Sequence, residues 1–463
     1  MALFWHRRDL RPADNVGLTA AAMETPVKPV FVLDDTVLEH ASPNRVAFLL
    51  DSLRALRGFY RERDGDLLVR RGDPADVLPA LAADREITAV HWNIDYSGLA
   101  RERDERVAAA LENAGLETVP HEDLLLQPPG EVLTNAGTPY QVFSPFYDTW
   151  TEHAHRDPVD PPGAVTGDDA SELPTVGGLG FDEPTADLPA GGHDAARERL
   201  SAFLDGPIYD YADVRDDPAA DGTSRLSADL KFGTIGVRSV WAATVDAFDA
   251  APDDASRQSV REFQRQLAWR EFYTDKLAHE PAMVAANHRE FDKPIEWRNN
   301  PDEIAAWRAG QTGYPFVDAG MRQLRAEGWL HNRLRMVVAA FFTKDLLADW
   351  RIGYRWFRRH LVDHDPGNDA GGWQWAASTG WDAQPYFRVF NPTTQGERFD
   401  PEAEYIHRYV PELRGVEPDG IHAWPTLEPD RRAELAPDYP GPIVDHAARR
   451  ESAIEAFERA RGN

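Results

Sequence analysis

The sequence of 463 residues contains no cysteine, which excludes disulfide bonds, thiolate nucleophiles and cysteine-ligated zinc or iron–sulfur sites. It also has no apolar run near the roughly 20 residues that a membrane-spanning helix needs. Its first residues, MALFWHRRDLR, reach charged side chains too early for a secretion signal. We therefore expect a soluble, cytoplasmic protein.

Lysine is scarce, with five residues against 45 arginines, and 78 acidic residues outnumber 50 basic ones to give a net charge of −28. This balance is typical of proteins that work in molar salt, where charge repulsion is screened within roughly 3 Å. An acidic protein from a low-salt organism is the alternative. Between Met321 and His360 the balance reverses, with nine basic and three acidic residues, which indicates a site for a phosphate-bearing ligand.

The length indicates two or three domains. Near the N-terminus, short apolar runs alternate with amphipathic stretches, which predicts an α/β domain with a doubly wound parallel sheet. No G-x-G-x-x-G follows the first run, so the usual dinucleotide fingerprint is missing. The predicted strands are Ala2–His6, Pro29–Leu33, Leu67–Arg70, Ala89–Asn93 and Thr118–Pro120, and the predicted helices are Asn44–Glu62, Pro74–Ala82 and Arg101–Ala114.

A stretch rich in proline, glycine and aspartate, from Arg156 to Gly192, predicts a long surface connection. Beyond it, apolar residues recur with helical spacing, which predicts an all-α C-terminal domain. We place the domain limits at 1–130, 131–195 and 196–463. The predicted helices are Asp194–Phe203, Val237–Phe248, Arg257–His279, Pro301–Ala309, Val317–Glu327, Leu330–Ala348, Tyr354–Leu361 and Ile443–Arg461.

Ten of the fourteen tryptophans lie between Trp241 and Trp381, together with the densest arginine clusters. Indole rings beside guanidinium groups suit flat aromatic ligands and unstacked nucleobases. The alternative is a large helical core that uses tryptophan as filling.

Three groups of polar residues carry the ligand-binding interpretation. The segment Thr223–Ser227 (TSRLS) puts hydroxyls and an arginine at a predicted helix start, where anions such as pyrophosphate bind. An ordinary helix cap would look the same. Two helical faces combine an amide with a guanidinium at the i, i+3 and i+4 positions, and each suits either a nucleobase or a packed surface: Gln266, Trp269 and Arg270, and Asn332, Arg335 and Met336.

Metal binding is not expected. Asp363 and Asp365 lie two residues apart before a glycine-rich turn, but the spacing of a calcium loop is not met. His360 and His364 lie four residues apart, yet no H-E-x-x-H is present.

Specific motifs follow one another in the C-terminal half: GTSRLS, LAWREFY, TGYPFVDAGMRQL, GWLHNRLRM, TKDLL, GGWQWAAS and PYFRVFNPTTQGERFD. Together with the N-terminal FWHRRDLRPADN, they resemble the photolyase/cryptochrome flavoproteins, and most of all the microbial class I cyclobutane pyrimidine dimer photolyases. The resemblance covers nearly the whole chain. It implies light-driven repair of cyclobutane pyrimidine dimers in DNA, in which excited reduced FAD passes an electron to a flipped-out dimer.

The resemblance also implies where FAD binds in the helical domain. Arg335 would pair with Asp363 beside the flavin ring, and Asp369 would face flavin N5. Nearby cations stabilise the reduced flavin, which is an anion. The residues implied to hold the cofactor are Tyr211, Arg215, Thr223, Ser224, Arg225, Leu226, Ser227, Arg270, Arg335, Asp363, Asp365 and Asp369.

Trp269 and Trp375 match the two walls between which a flipped dimer stacks in the family. The residues implied to bind the dimer or its strand are Gln266, Trp269, Asn332, Arg333, Met336, Trp375 and Gln395. A chain of three indoles through which oxidised flavin is photoreduced is matched by Trp373, Trp350 and Trp297.

Two positions depart from the photolyase pattern. Gln266 stands where dimer photolyases carry Glu, and Asp369 stands where they carry Asn, as in plant cryptochromes. A cryptochrome-type blue-light photoreceptor with little or no repair activity is therefore the alternative function. Against it, no long polar tail follows Trp381.

A second, light-harvesting chromophore is also implied in the N-terminal domain. Leu99 and Ala100 occupy the acidic and amide positions of folate-binding relatives, and WNIDYSGLARERD resembles the deazaflavin-binding branch. We expect 8-hydroxy-5-deazaflavin rather than folate, in a monomer whose partner is DNA containing pyrimidine dimers.

Overall fold

The computed structural model describes residues 1–83, 86–162, 165–167, 169 and 171–462. Outside the described residues lie Asp84 and Arg85, four residues of the predicted connector (Gly163, Ala164, Asp168 and Ala170) and Asn463, the last residue of the third predicted domain. None of the described helices is both long enough and apolar enough to cross a bilayer.

Five parallel strands form one sheet in the order β3-β2-β1-β4-β5. Strand β1 lies in the centre, where it pairs with β2 and β4, and all five of its residues are buried. A parallel strand covered on both faces needs an unbroken apolar run, which ALFWH supplies. The strands are β1 Ala2–His6, β2 Val27–Leu33, β3 Leu68–Arg71, β4 Ala89–Asn93 and β5 Glu117–His121.

Helices cover both faces of this sheet. Successive residues of β1 point to opposite faces, so Phe4 packs with Leu18 and Phe48 on one face, whereas Trp5 packs with Leu78 on the other. The doubly wound α/β fold predicted from the sequence is confirmed. The helices of this part are α1 Val16–Glu24, α2 Asp35–Leu38, α3 Pro43–Arg61, α4 Pro74–Ala83 and α5 Gly98–Asn113.

From His193 onward the described chain is helical, as predicted, whereas Phe143–Glu152 is a helix inside the predicted connector that the sequence did not indicate. The helices are α6 Phe143–Glu152, α7 His193–Leu204, α8 Pro207–Val214, α9 Ser227–Phe232, α10 Val237–Ala250, α11 Asp254–His279, α12 Pro301–Ala309, α13 Pro315–Glu327, α14 Asn332–Ala340, α15 Trp350–His360, α16 Pro366–Ala377, α17 Pro392–Phe399, α18 Glu404–Tyr409, α19 Pro418–His422, α20 Pro429–Leu435 and α21 His446–Ala460.

Helix α11 organises the helical part. It starts after Asp253, whose carboxylate accepts a hydrogen bond from the Ser256 N–H, and it packs against α6, α8, α10 and α16. The large core around it contains several fully buried indoles, whereas five others lie half-buried at its edge: Trp241, Trp269, Trp297, Trp356 and Trp375. Core filling therefore accounts for part of the tryptophan enrichment, and the half-buried rings remain available for a ligand.

Buried charges join the sheet to the helical part. Arg238 of α10 contacts Asp14 through Nε (2.7 Å to Oδ1) and Asp123 through Nη2 (2.6 Å to Oδ1), and Arg11 contacts Asp123 Oδ2 at 2.6 Å. All four side chains are at most 3% exposed. The loop after β1 is thereby held against α10.

Candidate active site: a cavity in the helical domain

A cavity of about 510 Å³ opens between α8, α9, α11, α14 and α16. These helices are far apart in the sequence, and their packing brings most of the sequence-predicted residues to one place. The predicted residues that line the cavity are Tyr211, Arg215, Thr223, Ser224, Arg225, Leu226, Ser227, Gln266, Trp269, Arg270, Asn332, Arg335, Met336, Asp363, Asp365, Asp369, Trp373 and Trp375.

One wall carries hydroxyl groups. The segment Thr223–Ser227 leads into α9, as its sequence indicates, with Arg225 in the left-handed region at φ 53°. The Arg225 guanidinium lies 3.7 Å from the ring centroid of Trp329 and 2.8 Å from Glu327, and the Trp329 indole N–H donates to Ser227 Oγ at 3.1 Å. These contacts hold the hydroxyl-bearing loop in place at the cavity wall.

Cations and carboxylates meet at another part of the wall. Arg335 Nη2 lies 2.6 Å from Asp363 Oδ2, as the family resemblance implies, and Arg335 Nη1 lies 3.4 Å from Asp369 Oδ1. Burial, the largest effect, lowers the pKa of Arg335, but the two carboxylates outweigh it and raise that pKa above its usual value. Asp363 Oδ1 is buried without a hydrogen-bond partner among the described residues.

Lys231 is a cavity residue that the sequence reasoning missed. Its ammonium group forms no hydrogen bond within the described part of the chain, although the charges of Asp365 and Asp95 favour its protonated form. Burial lowers the pKa of Lys231 to about 7, aided by the nearby guanidinium of Arg8. Arg8 itself lies 2.7 Å from Asp365, so the loop after β1 also reaches this wall. The sequence shows the motif LKFG around Lys231, but it could not show that the Lys231 side chain lines the cavity.

Trp269 and Trp375 both line the cavity, and each rests on a different aromatic residue. The Trp269 ring stacks on Phe143 of α6, with centroids 3.6 Å apart and an interplanar angle of 9°. The Trp375 ring meets Phe390 edge-on at 6.2 Å. Phe143, which the sequence reasoning missed, braces one face of Trp269.

The Gln266 side chain is held by two charged neighbours. Its Nε2 donates to the backbone carbonyl and to the carboxylate of Glu262, both at 3.0 Å, and its Oε1 accepts from Arg215 Nη2 at 3.4 Å. Arg215 also pairs with Glu262. A carboxylate therefore lies one helical turn from the position where Gln266 replaces the usual glutamate.

Four sequence-predicted residues do not line the cavity. Arg333 lies 2.5 Å from Asp216 and its guanidinium stands over the ring of Phe399 at 4.1 Å. The remaining three are Gln395, whose Oε1 is buried without a partner among the described residues, and the indoles Trp350 and Trp297.

The three predicted electron-transfer indoles differ in burial. Trp373 lines the cavity and is 2% exposed, Trp350 is fully buried and donates its N–H to Asn287 at 2.8 Å, and Trp297 is half-buried beside Phe457. Of the three rings, Trp373 is thus the one at the cavity wall and Trp297 the most exposed.

The predicted basic stretch 321–360 does not form one face. Several of its cations are neutralised by carboxylates from other helices, such as Arg322 by Glu412 at 2.6 Å. Lys344 is buried and donates to Ser378 Oγ at 2.8 Å. Only part of the stretch, including Arg335, reaches the cavity.

Comparisons with known proteins agree with this architecture. Residues 2–163 match the family model for DNA photolyase, and residues 263–459 match that for the FAD binding domain of DNA photolyase. The chain is 54% identical to the deoxyribodipyrimidine photo-lyase of Halobacterium salinarum, with 100% of each chain covered. A class III photolyase from Agrobacterium tumefaciens superimposes with a TM-score of 0.92 at 34% identity, covering 100% of this chain and 98% of that one. An archaeal photolyase from Sulfolobus tokodaii with two FAD molecules superimposes with a TM-score of 0.86 at 34% identity, covering 99% of each chain. The chain belongs to the DNA photolyase family.

Proposed function

We propose that the chain repairs cyclobutane pyrimidine dimers in DNA, driven by light that reduced FAD absorbs in the cavity. The observation that carries this proposal is the composition of the cavity wall. Hydroxyls and cations suited to a phosphate-bearing cofactor line it together with two indoles, Trp269 and Trp375, suited to stacking on bases. The named relatives support the same reaction.

The residues present fit FAD. The ammonium of Lys231 and the guanidiniums of Arg270 and Arg335 suit an anionic ligand. The unpartnered atoms Asp363 Oδ1 and Trp373 Nε1 offer an acceptor and a donor inside the core. We assign the cofactor to Tyr211, Arg215, the Thr223–Ser227 segment, Arg270, Arg335, Asp363, Asp365 and Asp369.

When bound and reduced, FAD would supply an electron on absorbing light and accept it back once the cyclobutane bonds have opened. The protein's part is to bind, orient and shield. Arg335 holds a positive charge at the wall through its pairing with Asp363. The stacked rings of Phe143 and Trp269 form a rigid surface for an extruded pyrimidine pair.

The other proposed DNA contacts lie at the cavity or beside it. Asn332 and Met336 lie one turn apart on α14, and the Gln266 amide is oriented by Glu262 and Arg215. We keep Arg333 and Gln395 as contacts to the DNA strand outside the cavity. We likewise propose that Trp297, Trp350 and Trp373 carry electrons inward from the surface, and this is supported by a half-buried ring at Trp297 and a cavity-lining ring at Trp373.

The deciding experiment irradiates the reduced, FAD-loaded protein with a thymine-dimer oligonucleotide in molar KCl and measures intact thymines by chromatography. We expect repair in the light and none in the dark. Trp269→Ala should weaken binding of the damaged strand by about 1–3 kcal/mol, the usual worth of one stacked base. A matched control is Trp424→Phe, because Trp424 is buried away from the cavity and donates to Pro440 O at 2.9 Å.

The alternative, a blue-light photoreceptor, is favoured by Gln266 and Asp369. Light-dependent reduction of the flavin in oxidised protein, together with no restored thymine in the reduced samples, would support it. Irradiating oxidised and reduced samples in parallel therefore separates the two functions.

We also propose a second chromophore in the α/β domain, with 8-hydroxy-5-deazaflavin favoured over folate. In a doubly wound sheet, ligands bind outside the carboxyl ends of the strands, where β1, β2 and β4 end at His6, Leu33 and Asn93. The apolar residues Leu99 and Ala100 give folate no acidic or amide partner. Chromatography of the chromophores released from protein purified from a deazaflavin-producing host tests the assignment.

We propose that the protein acts as a monomer and keep domain limits near residues 130 and 195. Its exposed large apolar residues are scattered over different elements, such as Val37, Val142, Val245 and Phe387, rather than joined in a patch. Light scattering on a size-exclusion column in molar KCl measures the mass.

A further inference from the structure

His364 and Asp369 form a hydrogen-bonded pair at the cavity wall. His364 Nδ1 lies 2.5 Å from Asp369 Oδ2, and the two residues are 6% and 7% exposed. Asp369 lies in the first turn of α16 and lines the cavity, and His364 precedes that helix by two residues. None of the cofactor or substrate roles assigned above uses His364.

The Asp369 carboxylate faces three donors on two segments of the chain. Its Oδ2 faces the His364 ring and the Asp365 backbone N–H at 3.3 Å, and its Oδ1 faces Arg335 Nη1 at 3.4 Å. A neutral imidazole that donates through Nδ1–H leaves Nε2 without a proton. The geometry therefore defines one tautomer of His364.

The surroundings of His364 keep its ring neutral at neutral pH. Burial, the largest effect, lowers the pKa of His364, and the bond to Asp369 only partly opposes this. Two cations from other elements, Arg45 of α3 and Lys231 of α9, lower it further. Tyr354 of α15 meets the ring edge-on at 5.4 Å. The charged groups around the pair are Arg45, Lys231, Arg335, Asp363 and Asp365.

We propose that His364 is a positioning residue that keeps the Asp369 carboxylate aimed at the cavity, so that the bound cofactor meets a fixed acidic side chain beside Arg335. This inference rests on the proposed function, because a fixed negative charge matters to a flavin whose reduced form is an anion. The carboxylate opposes the added charge and makes the reduced flavin a stronger electron donor. Without His364, the Asp369 carboxylate loses one of its donors and is no longer held in this position, so it opposes the reduced form less.

The hydrogen-bond pair can be read without any activity. The full-length chain is labelled with ¹⁵N-histidine, and the His364 signals among its 15 histidines are identified by their loss in His364→Asn. At neutral pH we expect a neutral ring with a proton on Nδ1. A proton on Nε2, or a doubly protonated ring, would overturn the proposal whether or not flavin is bound.

The consequence is read from the midpoint potential of bound flavin. His364→Asn retains an amide donor in place of Nδ1–H and should stay near the wild-type potential. His364→Ala should shift the balance toward reduced flavin by about tenfold, or about 30 mV for a two-electron couple. The control is His360→Asn, because His360 bonds its own helix at Trp356 O (2.9 Å) and lies outside the cavity lining.

A second variant keeps the test independent of any folding defect. Asp369→Asn removes the carboxylate, and adding His364→Ala to it should cause no further shift, because the two residues act as one unit. Equal potentials in wild type and His364→Ala, or additive shifts in the double variant, would refute the role of His364. A chain that binds no flavin yet shows the Nδ1–H signal would instead refute the proposed function.

Discussion

The indole ring of Trp373 lies directly against the backbone of Gly353. A Cβ atom added to Gly353 would stand 2.1 Å from Trp373 Cη2 and 2.4 Å from Cζ3. Gly353 belongs to α15, the helix that begins with Trp350, so its missing side chain lets that helix approach the ring at the cavity wall. The position of the Trp373 ring therefore depends on Gly353, which lies in the same helix as Trp350, a second electron-transfer candidate.

We predict that Gly353→Ala destabilises the fold by about 1–3 kcal/mol, the usual cost of forcing an extra carbon into a packed core. Chemical unfolding in molar KCl measures it. The control is Gly58→Ala in α3, where an added Cβ meets nothing within 4 Å and where alanine should stabilise the helix by about 0.5–1 kcal/mol. Equal stabilities of the two variants would contradict the packing argument.

Arg238→Met should be among the most damaging single changes. It leaves the buried carboxylates of Asp14 and Asp123 without the cation that joins them, and breaking such a buried pair costs about 3–5 kcal/mol. Because buried pairs are screened little, the loss should persist in molar salt. Unfolding free energies measured in low and molar KCl check both points.

The matched control for Arg238 is Arg54→Met. Arg54 pairs with Asp51 on the surface at 2.9 Å, with side chains 65% and 42% exposed. An exposed pair of this kind contributes no more than about 1 kcal/mol. If Arg54→Met lowered the free energy of unfolding as much as Arg238→Met, the buried ion pairs of Arg238 would contribute no more to stability than an exposed pair.

Asp318 should make the fold more stable in mild acid. Burial, the largest effect, raises its pKa to about 6, despite hydrogen bonds from Tyr439, Thr312 and Gly313. The folded chain therefore binds a proton more tightly than the unfolded chain, so this contribution is full below about pH 4 and is lost as the pH rises to about 6. Its size is on the order of 2 kcal/mol.

Two variants isolate the Asp318 contribution in unfolding experiments over that pH range. Asp318→Asn takes up no proton and should lose this part of the pH dependence. Tyr439→Phe removes a donor, 2.5 Å from Asp318 Oδ2, that favours the ionised form, so the window should move to higher pH. A pH profile that is unchanged in Asp318→Asn would rule out this titration.

The elements that the sequence predicted well are those with a clear period. The predicted limits of strand β1 agree with the structure at both ends, because its apolar run is buried on both faces. The predicted start of α11 lies three residues after the observed one. Helices α17, α19 and α20 were missed, since each has at most eight residues and begins with proline, too short for a periodic pattern. The predicted helix Leu330–Ala348 was wrong beyond Ala340, where the chain widens into a π-helical turn as Lys344 turns inward to Ala377 and Ser378.

The site was predictable only as far as motifs reach. The family resemblance named many of the residues that line the cavity, but it did not name Lys231. The motifs could not show that Phe143, in the predicted connector, stacks on Trp269. The two residues are far apart in the sequence, and neither segment carries a pattern that predicts contact with the other. The i, i+4 spacing of His360 and His364 likewise suggested only a metal site, which was not expected. In the folded chain, His364 contacts Asp369 instead.

Lys231 should couple flavin binding to pH. Its pKa of about 7 means that the free cavity loses this charge as the pH rises through neutrality, whereas a bound anion favours the charged form. Binding then takes up a proton at higher pH, so the affinity for FAD should fall by up to tenfold per pH unit above about pH 7. Lys231→Met should bind FAD more weakly below pH 7 and show a flatter pH profile, because it has no proton to gain.

Lys28→Met is the control, since Lys28 lies in β2 away from the cavity. Fluorescence titration of flavin-free protein between about pH 6 and pH 9 measures these affinities. A wild-type profile as flat as that of Lys231→Met would show that this ammonium does not face the bound anion.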